Sequence, residues 1–137
     1  MSVKSKEVIK DFYKSDILKD STILERFLHP EITLYWNSAD GLTIMKYDEI
    51  LAFHNEVSRN YTGLRAEVSH LLADENFVTV RYKYFVRTME NPDEELAIAH
   101  FMSIWEIKDD KIYRGHQISQ PVTDKDDTQG SYQRIKV

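Results

Sequence analysis

His54 is the side chain in this sequence that is best suited to move a proton. Imidazole titrates near neutral pH, so a histidine can act as general base or general acid when a carboxylate or hydroxyl group assists it. Asp40 precedes a glycine in the segment 38–41, which is typical of a turn, and could be that partner. The alternative is that His54 lies at the rim of the core and bonds to a backbone carbonyl group. The sequence leaves both interpretations open.

Polar side chains follow one another near the end of the chain, in a segment that otherwise has the pattern of a strand. They are His116, Gln117 and Ser119. Inside a concave sheet they could recognise the polar groups of a ligand, whereas on a strand edge or a dimer contact they would face water. His100 has apolar neighbours on its own strand face and better fits an apolar dimer surface.

The sequence gives little support for metal, cofactor or thiol chemistry. It contains no cysteine, which removes thiolate zinc sites, disulfides and cysteine nucleophiles. The histidines show no His-x-His or similar ligand spacing, and there is no glycine-rich phosphate loop. We therefore expect neither a bound metal ion nor a cofactor.

Three large aromatic residues are candidates for contact with a planar ligand. Trp36, Phe101 and Trp105 occur in segments with the pattern of strands, and their ring faces could stack on a flat molecule. Such residues more often belong to a filled core. The sequence alone does not separate these two interpretations.

The segment 94–120 organises the predicted fold. Two runs rich in Ile, Phe, Trp and Tyr flank the turn 108–111, which is the signature of a β-hairpin. The first run is apolar on both of its alternating faces, so both faces must be covered. We expect helices over one face and another sheet or subunit over the other.

Hydrophobic periodicity predicts three helices and four further strands. The predicted helices are 5–18, 22–28 and 47–60, and the strands outside the hairpin are 31–37, 42–45, 64–72 and 77–89. Helices that precede a curved antiparallel meander lie on its concave side. This order indicates an α+β fold, a cone-shaped roll in which a curved antiparallel sheet wraps around about three N-terminal helices. The open mouth of such a cone is a natural ligand site.

Length and composition limit the function classes. The 137 residues predict a single domain over 1–121 with a polar tail at 122–137. No apolar run approaches the roughly 18 residues of a membrane helix. The N-terminus lacks a secretory signal, so we predict a cytoplasmic protein. The net charge of −5 without a basic cluster argues against nucleic acid as a partner.

A series of short motifs follows one another along the chain. They are Phe12-Tyr13, Asp20, 27–32, Gly41, Ile50 with Phe53, 76–78 and 109–112. In order and spacing they resemble the nuclear-transport-factor-2-like superfamily, in its SnoaL-like, polyketide-cyclase-like branch, over about residues 5–121. The resemblance implies a homodimer packed through the outer face of the long sheet. The superfamily contains isomerases, dehydratases, epoxide hydrolases and cyclases as well as carriers, so it does not fix a function.

The resemblance also implies which side chains line a pocket inside the cone. They are Phe12, Trp36, Phe53, His54, Tyr82, Tyr84, Phe101, Ser103, Trp105, Gln117 and Ser119. A bulge in either strand of the hairpin would exchange Gln117 for His116, or Ser103 for Met102, so His116 stays among the candidates.

Comparison with reactions known in the superfamily limits which of them this chain could catalyse. A ketosteroid isomerase-like site needs a carboxylate base, a tyrosine and a protonated aspartate. The positions that resemble these groups are Trp36, Phe12 and Ser103, which argues against that activity. An Asp-Arg-Asp set, as in an epoxide hydrolase, is also missing. A dehydratase-like site built from histidines and tyrosines stays open through His54, His100, His116, Tyr35, Tyr82 and Tyr84.

The sequence therefore predicts a domain that binds a small apolar or aromatic ligand in the cone, with proton transfer or dehydration as the reaction if there is one. The alternative is a non-enzymatic dimeric carrier or interaction module, which a filled core between Trp36, His54 and Trp105 would favour. Polyketide-type cyclisation is a third possibility, which the branch name raises and no residue demands.

Overall fold

The computed structural model describes residues 2–18 and 22–122. In chain order the elements are α1 Ser2–Lys14, α2 Thr22–Phe27, β1 Leu28–Ser38, β2 Gly41–Lys46, α3 Tyr47–Asn60, β3 Tyr61–Asp74, β4 Phe77–Thr88, β5 Glu95–Lys108 and β6 Lys111–Pro121. The predicted α+β cone is confirmed. Apart from Val122, the tail predicted at 122–137 lies outside the described residues, as does Asp20.

The six strands form one sheet in the order β2-β1-β6-β5-β4-β3. All neighbouring pairs are antiparallel except β1 and β6, which run parallel. The sequence predicts an antiparallel sheet. Periodicity identifies strands but does not show which strands pair, so it gives no sign of the parallel pair. The last strand of the meander returns beside the free edge of β1, and the sheet is therefore mixed.

Strand β1 begins earlier than predicted and passes through Pro30. Proline cannot donate a ladder hydrogen bond, so a regular ladder cannot run through this position. The pairing with β6 shifts register between Leu28 and Thr33, which face Ile112 and Arg114. This irregularity leaves Pro30 outside the regular ladder and lets the strand continue.

The hairpin between β5 and β6 turns at two aspartates. Asp109 and Asp110 both have positive φ, 56° and 62°, as the two central residues of a type I′ turn require. Aspartate tolerates this left-handed conformation better than most residues. Asp110 also pairs with Lys4 at 3.1 Å, which ties the hairpin to α1.

Helix α3 has the predicted bounds. At its start the backbone N–H of Lys46 donates to the carboxylate of Glu49 at 2.9 Å, which satisfies a backbone group at the helix end. The apolar stripe of this amphipathic helix faces the concave side of the sheet. The helix thus forms one wall of the space inside the cone.

Gly115 is the position where the sheet packs most tightly. It lies on β6 between Leu34 of β1 and Trp105 of β5. A Cβ at this position would overlap the Trp105 ring and lie 3.0 Å from Leu34 Cδ1. Only glycine lets the indole lie flat against β6.

We expect Gly115→Ala to lower the free energy of unfolding by about 1–3 kcal/mol, because a core that is already filled must shift to admit the methyl group. Denaturant unfolding measures the change. Gly63→Ala is the matched control, since its Cβ would meet Arg87 Cδ at an ordinary 3.4 Å. If the two variants were equally stable, the close packing of Trp105 on β6 would be wrong.

Candidate ligand-binding site

A cavity of about 420 Å³ lies between the concave face of the sheet and the helices. Small-molecule sites typically measure about 300–1,000 Å³. The predicted site residues that line it are Phe12, Trp36, Asp40, Phe53, His54, Tyr82, Tyr84, Phe101, Trp105, Gln117 and Ser119. Both tryptophans, Trp36 and Trp105, form part of the wall of this hollow.

Two predicted site residues lie elsewhere. Ser103 is fully buried behind the wall. His116 is on the outer face of the sheet, where its ring stacks on Tyr35 at 4.8 Å between centroids. Ser103 pairs with Gln117 in regular register, and the irregularities of β5 fall outside this stretch. Strand alternation therefore puts Gln117 inside the cone and His116 outside.

The histidines and tyrosines of the dehydratase-like set do not converge. His54, Tyr82 and Tyr84 line the cavity. Tyr35 and His116 form a stacked pair on the outer face, and the alternation of β5 places His100 on that face too. His54 is thus the one histidine among the described residues that lines the cavity.

A buried hydrogen-bonded triad stands at one wall of the cavity. Gln117 Oε1 accepts hydrogen bonds from Ser103 Oγ at 3.1 Å and from the Tyr82 hydroxyl at 3.3 Å. The two hydroxyl oxygens are 2.9 Å apart. All three residues are buried, and together they satisfy polar groups that would otherwise cost free energy. The triad gives an otherwise apolar wall a polar centre of fixed geometry.

Tyr13 is a site residue that the sequence analysis does not single out. Its ring packs against Tyr82 with centroids 4.5 Å apart, and its hydroxyl accepts a hydrogen bond from Trp105 Nε1 at 2.9 Å. A signal was present, because Tyr13 follows the fully buried Ile9 by four residues and so shares its helix face.

Several aromatic rings line the cavity beside the triad. Phe101 stacks on Tyr82 with centroids 5.2 Å apart and an interplanar angle of 6°. Trp36 meets Phe53 edge-on at 5.5 Å, and its Nε1 donates to Ser119 Oγ at 2.8 Å. These contacts fix the ring planes, so the cavity presents flat, preorganised apolar surfaces.

His54 is buried, and its Nε2 lies 2.5 Å from the backbone carbonyl oxygen of Ile17. A carbonyl oxygen only accepts, so Nε2 carries a hydrogen and Nδ1 is the ring nitrogen left to take a proton. Asp40 is exposed at the β1–β2 turn, where its backbone N–H bonds to Ser38 Oγ. Within the described part of the chain no hydrogen bond or ion pair links His54 to Asp40. The carbonyl-bonded interpretation of His54 matches this geometry.

Burial raises the pKa of Tyr84 well above its ordinary value of 10.0, and the nearby Tyr82 raises it further. Above pH 10.0 the unfolded chain loses this proton while the folded chain retains it. The free energy of unfolding therefore falls as the pH rises above 10.0. We expect Tyr84→Phe to stay folded to higher pH than the wild type. Circular dichroism across an alkaline titration measures this, with Tyr61→Phe as control, and equal behaviour of the two variants would contradict it.

Residues 2–18 and 22–122 contain no group of three or more His, Asp or Glu side chains that could hold a metal ion. In the same part of the chain, no helix is long and apolar enough to span a bilayer. Asp40 is the one carboxylate among the described cavity-lining residues, and it lies at an exposed turn. Among the described residues, a carboxylate is therefore available to a ligand only at the rim of the cone.

Comparison with known proteins finds similarity both in sequence and in fold. The sequence profile of the SnoaL-like domain matches residues 18–115. No protein of curated function shows a significant match to the sequence. The described fold superposes on AclR, a candidate hydroxylase from Streptomyces galilaeus, with a TM-score of 0.70 and 13% identity, covering 87% of this chain and 80% of AclR.

Two further solved structures share the fold. IdmH, a candidate polyketide cyclase from Streptomyces antibioticus, superposes with a TM-score of 0.66 and 14% identity over 84% of this chain and 91% of its own. A candidate SnoaL-like polyketide cyclase from Shewanella denitrificans OS-217 gives 0.66 and 14% over 95% and 97%. At these identities the likeness establishes a common architecture, and activity has to be argued from the site.

Proposed function

We propose a ligand-binding function for this chain, which belongs to the SnoaL-like domain family of the nuclear-transport-factor-2-like superfamily. Its cone binds a small apolar molecule of planar or cyclic shape. The observation that supports this most strongly is the hollow of about 420 Å³, whose mainly apolar wall includes eight Phe, Tyr and Trp side chains. Buried apolar surface provides the binding free energy, and the few polar groups of the wall set the orientation.

Intrinsic fluorescence tests the proposal without knowledge of the natural ligand. The chain has two tryptophans, Trp36 and Trp105, and both line the cavity. We expect 1-anilinonaphthalene-8-sulfonate to quench their emission in a saturable manner, with energy transfer to the probe. A linear, non-saturating response would show that the probe does not occupy the cone, and would count against the proposal.

We also propose that two copies pair through the outer face of the sheet. Five large apolar side chains there are 46–65% exposed, which is unusual for a lone domain. We call them the outer apolar face: Leu42, Ile44, Met102, Ile104 and Ile118. Two rows of paired residues cross β2, β1, β6 and β5. One row consists of Ile44, Tyr35, His116 and Ile104, and the other of Leu42, Asn37, Ile118 and Met102. The part of this face on β4 carries Arg81 and Lys83 instead.

Proton transfer by His54 is a second candidate function. It is supported by a buried imidazole on the cavity wall whose Nδ1 is left to accept a proton. A test is hydrogen–deuterium exchange at the methyl group of bound 2-acetylnaphthalene, followed by NMR. Faster exchange with the wild type than with His54→Ala would support this role. If the wild type did not accelerate the exchange, the non-enzymatic carrier would be favoured.

A cytoplasmic location stays a prediction from the sequence.

A further inference from the structure

We propose that Gln117 selects ligands that carry a carbonyl oxygen, using the amide hydrogens of its Nε2 as the donor inside the cone. This inference rests on the proposed ligand-binding function and names the ligand class. Ketones and quinones with a planar apolar frame are the molecules that fit it.

Counting hydrogens fixes the orientation of the Gln117 amide. Tyr82 and Ser103 each have one hydroxyl hydrogen, and Gln117 Oε1 is within bonding distance of both oxygens. With Oε1 turned to the triad, every hydroxyl hydrogen has an acceptor. In the reverse orientation the contact between the Tyr82 and Ser103 hydroxyl groups could hold only one of their two hydrogens, and the other would have no acceptor in the triad.

The other end of the amide is therefore available to a ligand. Gln117 lines the cavity, and its Oε1 is taken up by the triad behind the wall. In the described part of the chain nothing accepts a hydrogen bond from its Nε2. The triad holds the carboxamide in place, so the donor is preorganised and its orientation costs little on binding.

A donor of this kind discriminates between ligands of the same shape. A carbonyl oxygen accepts from Nε2, whereas a hydrocarbon isostere displaces water from the amide and leaves the donor unpaired. We therefore expect a preference of about tenfold or more for a ketone over its alkene isostere.

The test compares 2-acetylnaphthalene with 2-isopropenylnaphthalene, in which CH2 replaces the carbonyl oxygen. Dissociation constants come from tryptophan quenching of the wild type, Gln117→Leu and Gln117→Glu. Gln117→Glu keeps an acceptor for Tyr82 and Ser103 but presents no donor, so it covers the case in which Gln117→Leu fails to fold. Gln120→Leu, the same change on the exposed side of β6, is the matched control.

We expect the ketone preference in the wild type and in Gln120→Leu, and its loss in both Gln117 variants. Equal binding of the two probes to the wild type, or a preference that survives in Gln117→Glu, would overturn the inference while leaving the ligand-binding function standing. If neither probe bound in the cone, the proposed function would fail and this inference with it.

Discussion

Ala99→Phe is expected to weaken binding of apolar probes in the cone at least tenfold. Ala99 lies on β5 between Tyr84 and Pro121 and lines the cavity. A phenyl ring at this position would occupy part of the 420 Å³ hollow. The substitution therefore removes space for a ligand at little cost to the fold, since phenylalanine also favours strand conformation.

Ala52→Phe is the control for this experiment. Ala52 is exposed on α3, so the same ring is added to the outside of the molecule. Probe titration by tryptophan fluorescence and thermal unfolding are measured on both variants. If a folded Ala99→Phe protein bound the probes as well as the wild type does, the probes would bind elsewhere. The proposal that the cone is the binding site would then be wrong.

Ile104→Asp is expected to weaken self-association by about a hundredfold or more, because a carboxylate at the proposed dimer contact would have to lose its hydration when two copies pair. Ile104 lies on the outer apolar face, opposite His116, and is exposed in the single chain. The monomer should therefore fold normally. Sedimentation analysis over a range of concentrations measures the dissociation constant.

Met89→Asp provides the comparison, since Met89 is also exposed but follows β4 at the far end of the sheet. It should associate as the wild type does. A wild-type protein that stays monomeric at high concentration, or an Ile104→Asp variant with unchanged association, would rule out the outer apolar face as the dimer contact.

The local parts of the fold were readable from the sequence. Helix α3 has an uninterrupted helical period, and Asp109 and Asp110 can adopt the turn that a two-residue hairpin needs. The alternation of β5 placed Phe101 and Trp105 on one face, as observed. In each case the signal lies within about a dozen neighbouring residues, where period and turn chemistry act directly.

The rest depended on contacts between distant segments. Nothing near Pro30 shows that the ladder would shift register to let β1 pass. The parallel pairing of β1 with β6, and the bond from His54 to the Ile17 carbonyl, each join residues far apart in sequence. The helical period puts Tyr13 on the same face as Ile9, but its contacts with Tyr82 and Trp105 join segments far apart in sequence, which single-segment patterns cannot indicate.

The cavity wall explains why binding is better supported than catalysis. Its buried polar groups are used within the protein: Ser103 and Tyr82 bond to Gln117, and His54 bonds to a backbone carbonyl. Efficient proton transfer usually requires a base oriented by a partner, and Asp40 does not contact His54 in the described structure. A mainly apolar hollow with a few polar groups such as Gln117 on its wall is suited to holding a ligand.

The most direct measurement is a crystal structure of the protein with 2-acetylnaphthalene. The ligand is expected inside the cone between Trp36 and Trp105, with its carbonyl oxygen towards Gln117. Ligand found only on the outer face of the sheet, or a cone closed by its own side chains at saturating ligand, would contradict the proposed function.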